Sequence, residues 1–139
     1  MPYRTTVDPA ARLGFALFTG AVTGADLLGA TRAVYEHAAW ETRFDSVWDA
    51  ERIGSLDLLP GDIEQLVALK TAWCQGACGR DVLVSRGADA ITSALFVHLA
   101  RGQFEATYVV GSMEQALRTL GRDALPAPLE AALFNDARP

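Results

Sequence analysis

Apolar and polar positions follow two periods along this chain, and each change of period marks a new element. Residues 3–8 alternate weakly, as an edge strand does, and Asp8-Pro9-Ala10-Ala11 supplies a turn. Proline fixes φ there and aspartate bonds its own backbone. Residues 13–19 form the second extended run. Within it, Leu13-Gly14-Phe15-Ala16-Leu17-Phe18 is apolar at successive positions, which predicts a strand covered on both faces. Gly20 is expected to end it. Thr23-Gly24-Ala25-Asp26 has capping-box spacing with Asp in place of Glu or Gln. Leu27, Leu28, Thr31, Val34 and Tyr35 then recur at helical spacing, to about His37.

Residues 44–50 read as a short buried strand that stops at a charged loop, Glu51-Arg52. Pro60 suits the first turn of a second helix, with Ile63, Leu66, Val67, Leu69 and Trp73 as its apolar face and Gly76 or Gly79 at its end. Val82-Leu83-Val84-Ser85 is short and β-branched, a buried strand. Arg86-Gly87 turns the chain into a third helix, with Ile91, Leu95, Phe96 and Leu99 toward the sheet and Gly102 closing it. Residues 106–110 are the last strand. Ser112-Met113-Glu114-Gln115 is a second capping box, opening a helix through Leu117 and Leu120 that stops at Gly121. Strand–helix alternation predicts an α/β fold. Its sheet is single, mixed and mostly parallel, with five strands, an N-terminal antiparallel hairpin strand and four helices, the crossovers being right-handed. Residues 1–121 are expected to be the domain, and 122–139 a C-terminal tail with a short helix.

Composition narrows the classes. A chain of 139 residues has room for one domain that buries roughly 68% of its unfolded surface, so neither disulfide nor metal is needed to fold it. Twelve basic against seventeen acidic residues leave a net charge of −5, which is not the electrostatic footprint of a nucleic-acid binder. No stretch reaches the ~20 apolar residues of a membrane span. Met1-Pro2-Tyr3-Arg4-Thr5-Thr6 has no apolar signal region, so a cytoplasmic location is expected. Lys70 is the one lysine among the basic residues; that bias reads as genome composition.

In a parallel sheet the loops after the strands converge on one edge, where helix N-termini offer free N–H groups. Here that edge is expected to gather Thr23, Asp49, Glu51, Arg52, Arg86, Ser112 and Ser55. Arg52 and Arg86, beside the helix start at Ser112, would hold a carboxylate or phosphate. The plainer alternative has Thr23 and Ser112 only capping helices and the arginines solvated or paired with Asp49 and Glu51. Cys74 and Cys78 do not have Cys-x-x-Cys spacing and lack a second pair for zinc; small buried thiols are expected. His37 and His98 have no nearby partner for a triad or metal site. Trp40, Trp48, Trp73, Phe15, Phe18 and Phe96 fit core packing, with Trp40 and Phe44 as the alternative partner patch. The glycines form no phosphate loop.

Four stretches carry a resemblance to a known family. These are the hairpin end Gly20-Ala21-Val22-Thr23-Gly24-Ala25-Asp26, the strand end Trp48-Asp49, the segment Leu58-Leu59-Pro60-Gly61-Asp62-Ile63, and the Val-rich strand that leads to a helix. Over residues 3–121 the chain resembles the SpoIIAA-like, STAS-type domains of bacteria, often described with Sec14-type lipid-binding folds. The resemblance implies a small non-enzymatic regulatory or ligand-binding domain. Antagonists of anti-sigma factors in that group carry a phosphorylatable serine where this chain has Leu58-Leu59-Pro60-Gly61. No hydroxyl stands there and Ser55 is a poor substitute, so the phosphoswitch is not carried over.

The expected function is therefore binding, of a protein or a small ligand, at the strand C-terminal edge through Asp49, Arg52, Arg86 and Ser112. No catalytic residue, metal or cofactor is assigned. The rivals are a small enzyme using Asp49, Arg52 and Arg86 on an anionic substrate, a Sec14-type apolar-ligand binder, and a homodimer built on the helical faces.

Overall fold

A computed structural model describes residues 2–74, 78–85, 104–127 and 130–131, with Cys78 and residues 104–107 as backbone only. Five strands form one sheet in sequential order: β1 (Tyr3–Asp8), β2 (Leu13–Thr23), β3 (Asp45–Asp57), β4 (Cys78–Val84) and β5 (Phe104–Val110). β1 runs antiparallel to β2, with Tyr3 opposite Phe18 and Asp8 opposite Leu13. The other pairs are parallel. The helices described are α1 (Gly24–Tyr35), α2 (Asp62–Cys74) and α3 (Met113–Thr119). The mixed, mostly parallel α/β sheet expected from the sequence is thus the one observed. The helix expected around Ile91–Leu99 lies outside the described residues, as do Arg86 and His98.

β2 has two buried faces because its side chains alternate across the sheet. Ala16, Phe18 and Val22 pack with Val34 and Tyr35 of α1, Trp48 and Cys74. Leu13, Phe15 and Leu17 pack on the other side with Val47, Val82, Val84, Ala116 and Leu120. A sequential strand order steps the crossovers in one direction, so α1 and α2 cover the same face. α3 follows the last strand and closes the opposite face. Its C-terminal end is pinned at the start of the strands by Arg80, whose NH1 donates to the Thr119 carbonyl at 3.2 Å and whose NH2 pairs with Asp45 at 3.0 Å. α3 therefore runs against the parallel strands, which brings Ser112 to their C-terminal edge. Past α3, the Arg122 guanidinium donates to the Ala11 carbonyl at 2.7 Å and Leu125 packs on the core.

The structure departs from the sequence reading at four places. β2 runs on through Gly20 to Thr23, and β3 runs through Glu51-Arg52 to Asp57. Gly20 has φ of +71° beside a register shift, a bulge that absorbs the irregularity and lets pairing continue. On α2 the buried stripe is Ile63, Leu66, Lys70 and Cys74, whereas Trp73 is 39% exposed. Spacings of three and four residues place Lys70 on that stripe. Trp40, partly buried, and the buried Phe44 pack edge-to-face beside Tyr35, which agrees with the core packing expected over the alternative patch. Cys74 is buried as expected but disulfide-bonded, and the chain's other cysteine is Cys78. α2 ends at Cys74 and β4 starts at Cys78.

Candidate functional site

The C-terminal edge of the sheet is built where β4 and β5 end and β3 leaves its pairing with β4. Asp49 pairs with Val84, Val84 with Val110, and the Ser85 N–H donates to the Val110 carbonyl at 2.9 Å. Ser112 follows as the N-cap of α3, its hydroxyl accepting from the Gln115 N–H at 3.2 Å. Gln115 Oε1 in turn accepts from the Gly111 N–H at 2.7 Å. Asp49 on β3, Ser85 just past β4 and Ser112 just past β5 thus stand at one level of the sheet, with neighbouring strands about 4.8 Å apart. Ser85 was not singled out from the sequence. Its hydroxyl is buried and makes no hydrogen bond among the described residues.

Asp49 is the buried charge of this edge. Its carboxylate is wholly inaccessible. One oxygen accepts from the Glu51 N–H at 3.0 Å, and the other lies 3.5 Å from the guanidinium of Arg52. Burial pushes its carboxyl pKa above the ordinary range; the Glu51 N–H and Arg52 pull it partly back, while the Glu51 charge adds to the rise. Arg52 keeps 53% of its side chain in solvent, so screening leaves the pair little energy. A carboxyl with a raised folded pKa works against the fold once ionised. Stability from this group is therefore greatest below the ordinary carboxylate range and declines as pH rises through the raised value. Asp49→Asn is expected to melt with the natural protein near pH 4 and about 2–4 °C above it at pH 7. A variant less stable at pH 7 would show that the negative charge itself supports the bond that Asp49 accepts from the Glu51 N–H.

Thr23 and Ser55 do not join this edge. Because β2 and β3 continue as a pair, Thr23 lies opposite Asp57 and Ser55 opposite Ala21, with Thr23 roughly 20 Å beyond the level of Asp49. Thr23 completes a capping box: its hydroxyl accepts from the Asp26 N–H at 3.2 Å, and its own N–H donates to Asp26 at 2.9 Å. There the start of α1 meets the start of α2, since Gly24 leaves no space for a side chain against the Asp62 carboxylate. The connecting loop exposes Leu59 at 70%. It is fixed by the Leu59 N–H donating to Asp62 at 2.6 Å and by Gly61 at φ of +87°.

A second polar cluster lies under α1 and α2, and the sequence reading missed it. Lys70 Nζ reaches both oxygens of Asp81, at 3.3 and 3.0 Å, with both side chains buried. The same carboxylate accepts from the Ser46 hydroxyl at 2.7 Å and from the Trp48 indole N–H. The ammonium also lies 4.1 Å from the centre of the Trp48 ring, a cation–π contact. Burial pushes the Lys70 pKa down, and Asp81 offsets this. Tyr35 lies beside them with its hydroxyl pKa raised well above the ordinary value, by burial first and then by the charge of Asp81. The Ser46 hydroxyl beside it pulls that value partly back. The cluster joins four elements, α1, α2, β3 and β4, and its members are all buried.

Elsewhere the candidates have local roles. His37 Nδ1 accepts from the Ala39 N–H at 3.0 Å and turns the chain after α1. Among the described residues no three His, Cys, Asp or Glu side chains gather as a metal site, and no helix is long and apolar enough to cross a membrane. No protein-family model and no curated protein matches the sequence. Among solved structures the chain is similar to the anti-sigma factor antagonist SpoIIAA in its unphosphorylated form. The TM-score is 0.54 and the identity 11%, over 88% of this chain and 99% of that one. The architecture assembled above, from antiparallel first strand to closing helix, is a STAS-like fold of the SpoIIAA kind.

Proposed function

We propose that this protein is a cytoplasmic, bacterial, non-enzymatic regulatory domain that acts by binding a protein or a small anionic ligand. The contact region is the C-terminal edge of the strands, with Asp49, Arg52, Arg86 and Ser112 as its residues. The observation that carries this reading is the fold shared with an anti-sigma factor antagonist. The loop Leu58-Leu59-Pro60-Gly61 has no hydroxyl, so regulation through a phosphoserine at that turn is not part of the proposal. A cytoplasmic location implies that the Cys74 disulfide is opened in the cell, since that compartment keeps thiols reduced.

One observation favours a second reading. A buried carboxylate with a raised pKa beside an arginine is what an enzyme acting on an anionic substrate would use, and Asp49 with Arg52 has that form. Its full burial counts against reaching a substrate. Native mass spectrometry of protein purified gently from its source separates the cases. A retained protein or small-molecule mass that Arg52→Ala releases is the expected result. A clean apo protein together with a turnover that Asp49→Asn abolishes would overturn it in favour of the enzyme.

A further inference from the structure

α2 is arranged inside out. Its one basic residue, Lys70, is buried against Asp81, whereas Ala68, Ala72 and Trp73 are exposed and Leu69 is half-buried. Beyond the first turn, where Asp62 and Glu64 stand, this outer face carries no charge, and the last turn has no cation. The helix spans about 20 Å, and its lane of Ala68 and Ala72 is flanked by Leu69 and by Trp73 at 39% exposure. Leu59, the most exposed large apolar side chain among the described residues at 70%, lies just before it. A charge-free apolar face on an otherwise charged surface marks a contact region.

Charge decides what covers it. Among the described residues the exposed charge on the helix itself is acidic, Glu64, on a chain of net charge −5. A second copy packed antiparallel would set Asp62 and Glu64 against the negative end of the other helix, where no cation waits. Packed parallel, it would set the acidic first turns against each other. Both arrangements repel. We infer that the outer face of α2 docks an amphipathic helix of a partner protein, with an apolar stripe on the Ala68–Ala72 lane and Lys or Arg residues flanking it. This rests on the reading of the domain as a binding module, and it names the surface and the chemistry of the partner.

The test titrates the isotope-labelled full chain with a designed Leu/Lys amphipathic peptide of about four helical turns, and with the same peptide carrying Glu for Lys. The expected result is that the Leu/Lys peptide shifts the amides of Gln65, Ala68, Leu69 and Ala72 and the Trp73 indole, and that the Leu/Glu peptide does not. Leu69→Gln and Trp73→Gln, at positions outside the buried stripe, are expected to weaken binding about tenfold or more with unchanged melting. Binding that those two variants leave intact would be charge attraction alone and would overturn the inference. So would shifts confined to Asp49, Arg52 and Ser112; that pattern would leave the binding-module reading standing. Concentration-dependent self-association lost in Trp73→Gln would make the occupant a second copy, and no binding at all would equally sink it.

Discussion

Lys70→Ala is expected to cost about 3–5 kcal/mol of folding stability, one of the two largest losses at any single position considered. The reason is asymmetry. With the ammonium gone, the Asp81 carboxylate stays buried between Ser46 and Trp48, and two neutral donors do not replace a paired cation. Removing one partner of a buried pair leaves an uncompensated charge, whereas replacing both by apolar groups of similar volume is often neutral. Lys70→Met with Asp81→Leu should therefore recover most of the loss. Denaturant unfolding, followed by the emission of the tryptophans, measures both. A single-variant loss below about 1 kcal/mol would mean that water reaches Asp81 when α2 loses its lysine. A double variant no better than the single would show that the pair is net stabilising.

That cluster also shows where the sequence was legible and where it was not. Apolar runs located every strand and helix among the described residues, and the two-faced burial of β2 followed from Leu13 to Phe18 alone. The capping box at Thr23 and the N-cap at Ser112 were visible because a cap is a local, short-range bond; at Ser112 the return bond from Gln115 goes to the Gly111 N–H instead. Lys70 was passed over because a lysine is almost never fully buried unless paired, and its partner lies eleven positions away on another element. A signal did exist. Lys70 falls seven after Ile63, four after Leu66 and four before Cys74, on the buried stripe; Asp81 precedes the apolar run Val82-Leu83-Val84 in a strand covered on both faces.

The edge residues were foreseen as types more than as a place. Asp49 and Ser112 do stand at one level of the sheet, where β4 and β5 end, but Thr23 is carried away because Gly20 serves as a bulge where a terminator was expected. A glycine allows either outcome, and the choice is made by whether the partner strand continues. β3 does continue, with Ile53 and Leu56 packed on the core under α1. The outward turn of Trp73 has the same origin. With Lys70 claimed by Asp81, the helix rotates its stripe toward the lysine, and the tryptophan follows to the surface.

Phe15→Ala is expected to cost about 3–5 kcal/mol as well, from the opposite face of the sheet. Phe15 is fully buried among Leu13, Leu17, Val47, Val82 and Val84, in the cluster that α3 closes with Ala116 and Leu120. Truncation removes the transfer free energy of a phenyl ring and leaves a cavity that a β-sheet wall is poorly able to fill. The consequence should be uneven. α3 has seven residues, too few to hold a helix by itself, so its seat depends on this cluster, whereas α1 and α2 rest on the other face. Hydrogen exchange in Phe15→Ala is accordingly expected to accelerate at Ala116 and Leu120 while Val34 and Tyr35 in α1 stay protected. Equal loss of protection on both faces would mean that the two clusters unfold as one unit. A near-neutral stability change would mean that α3 settles into the cavity, carrying Ser112 and the C-terminal edge with it.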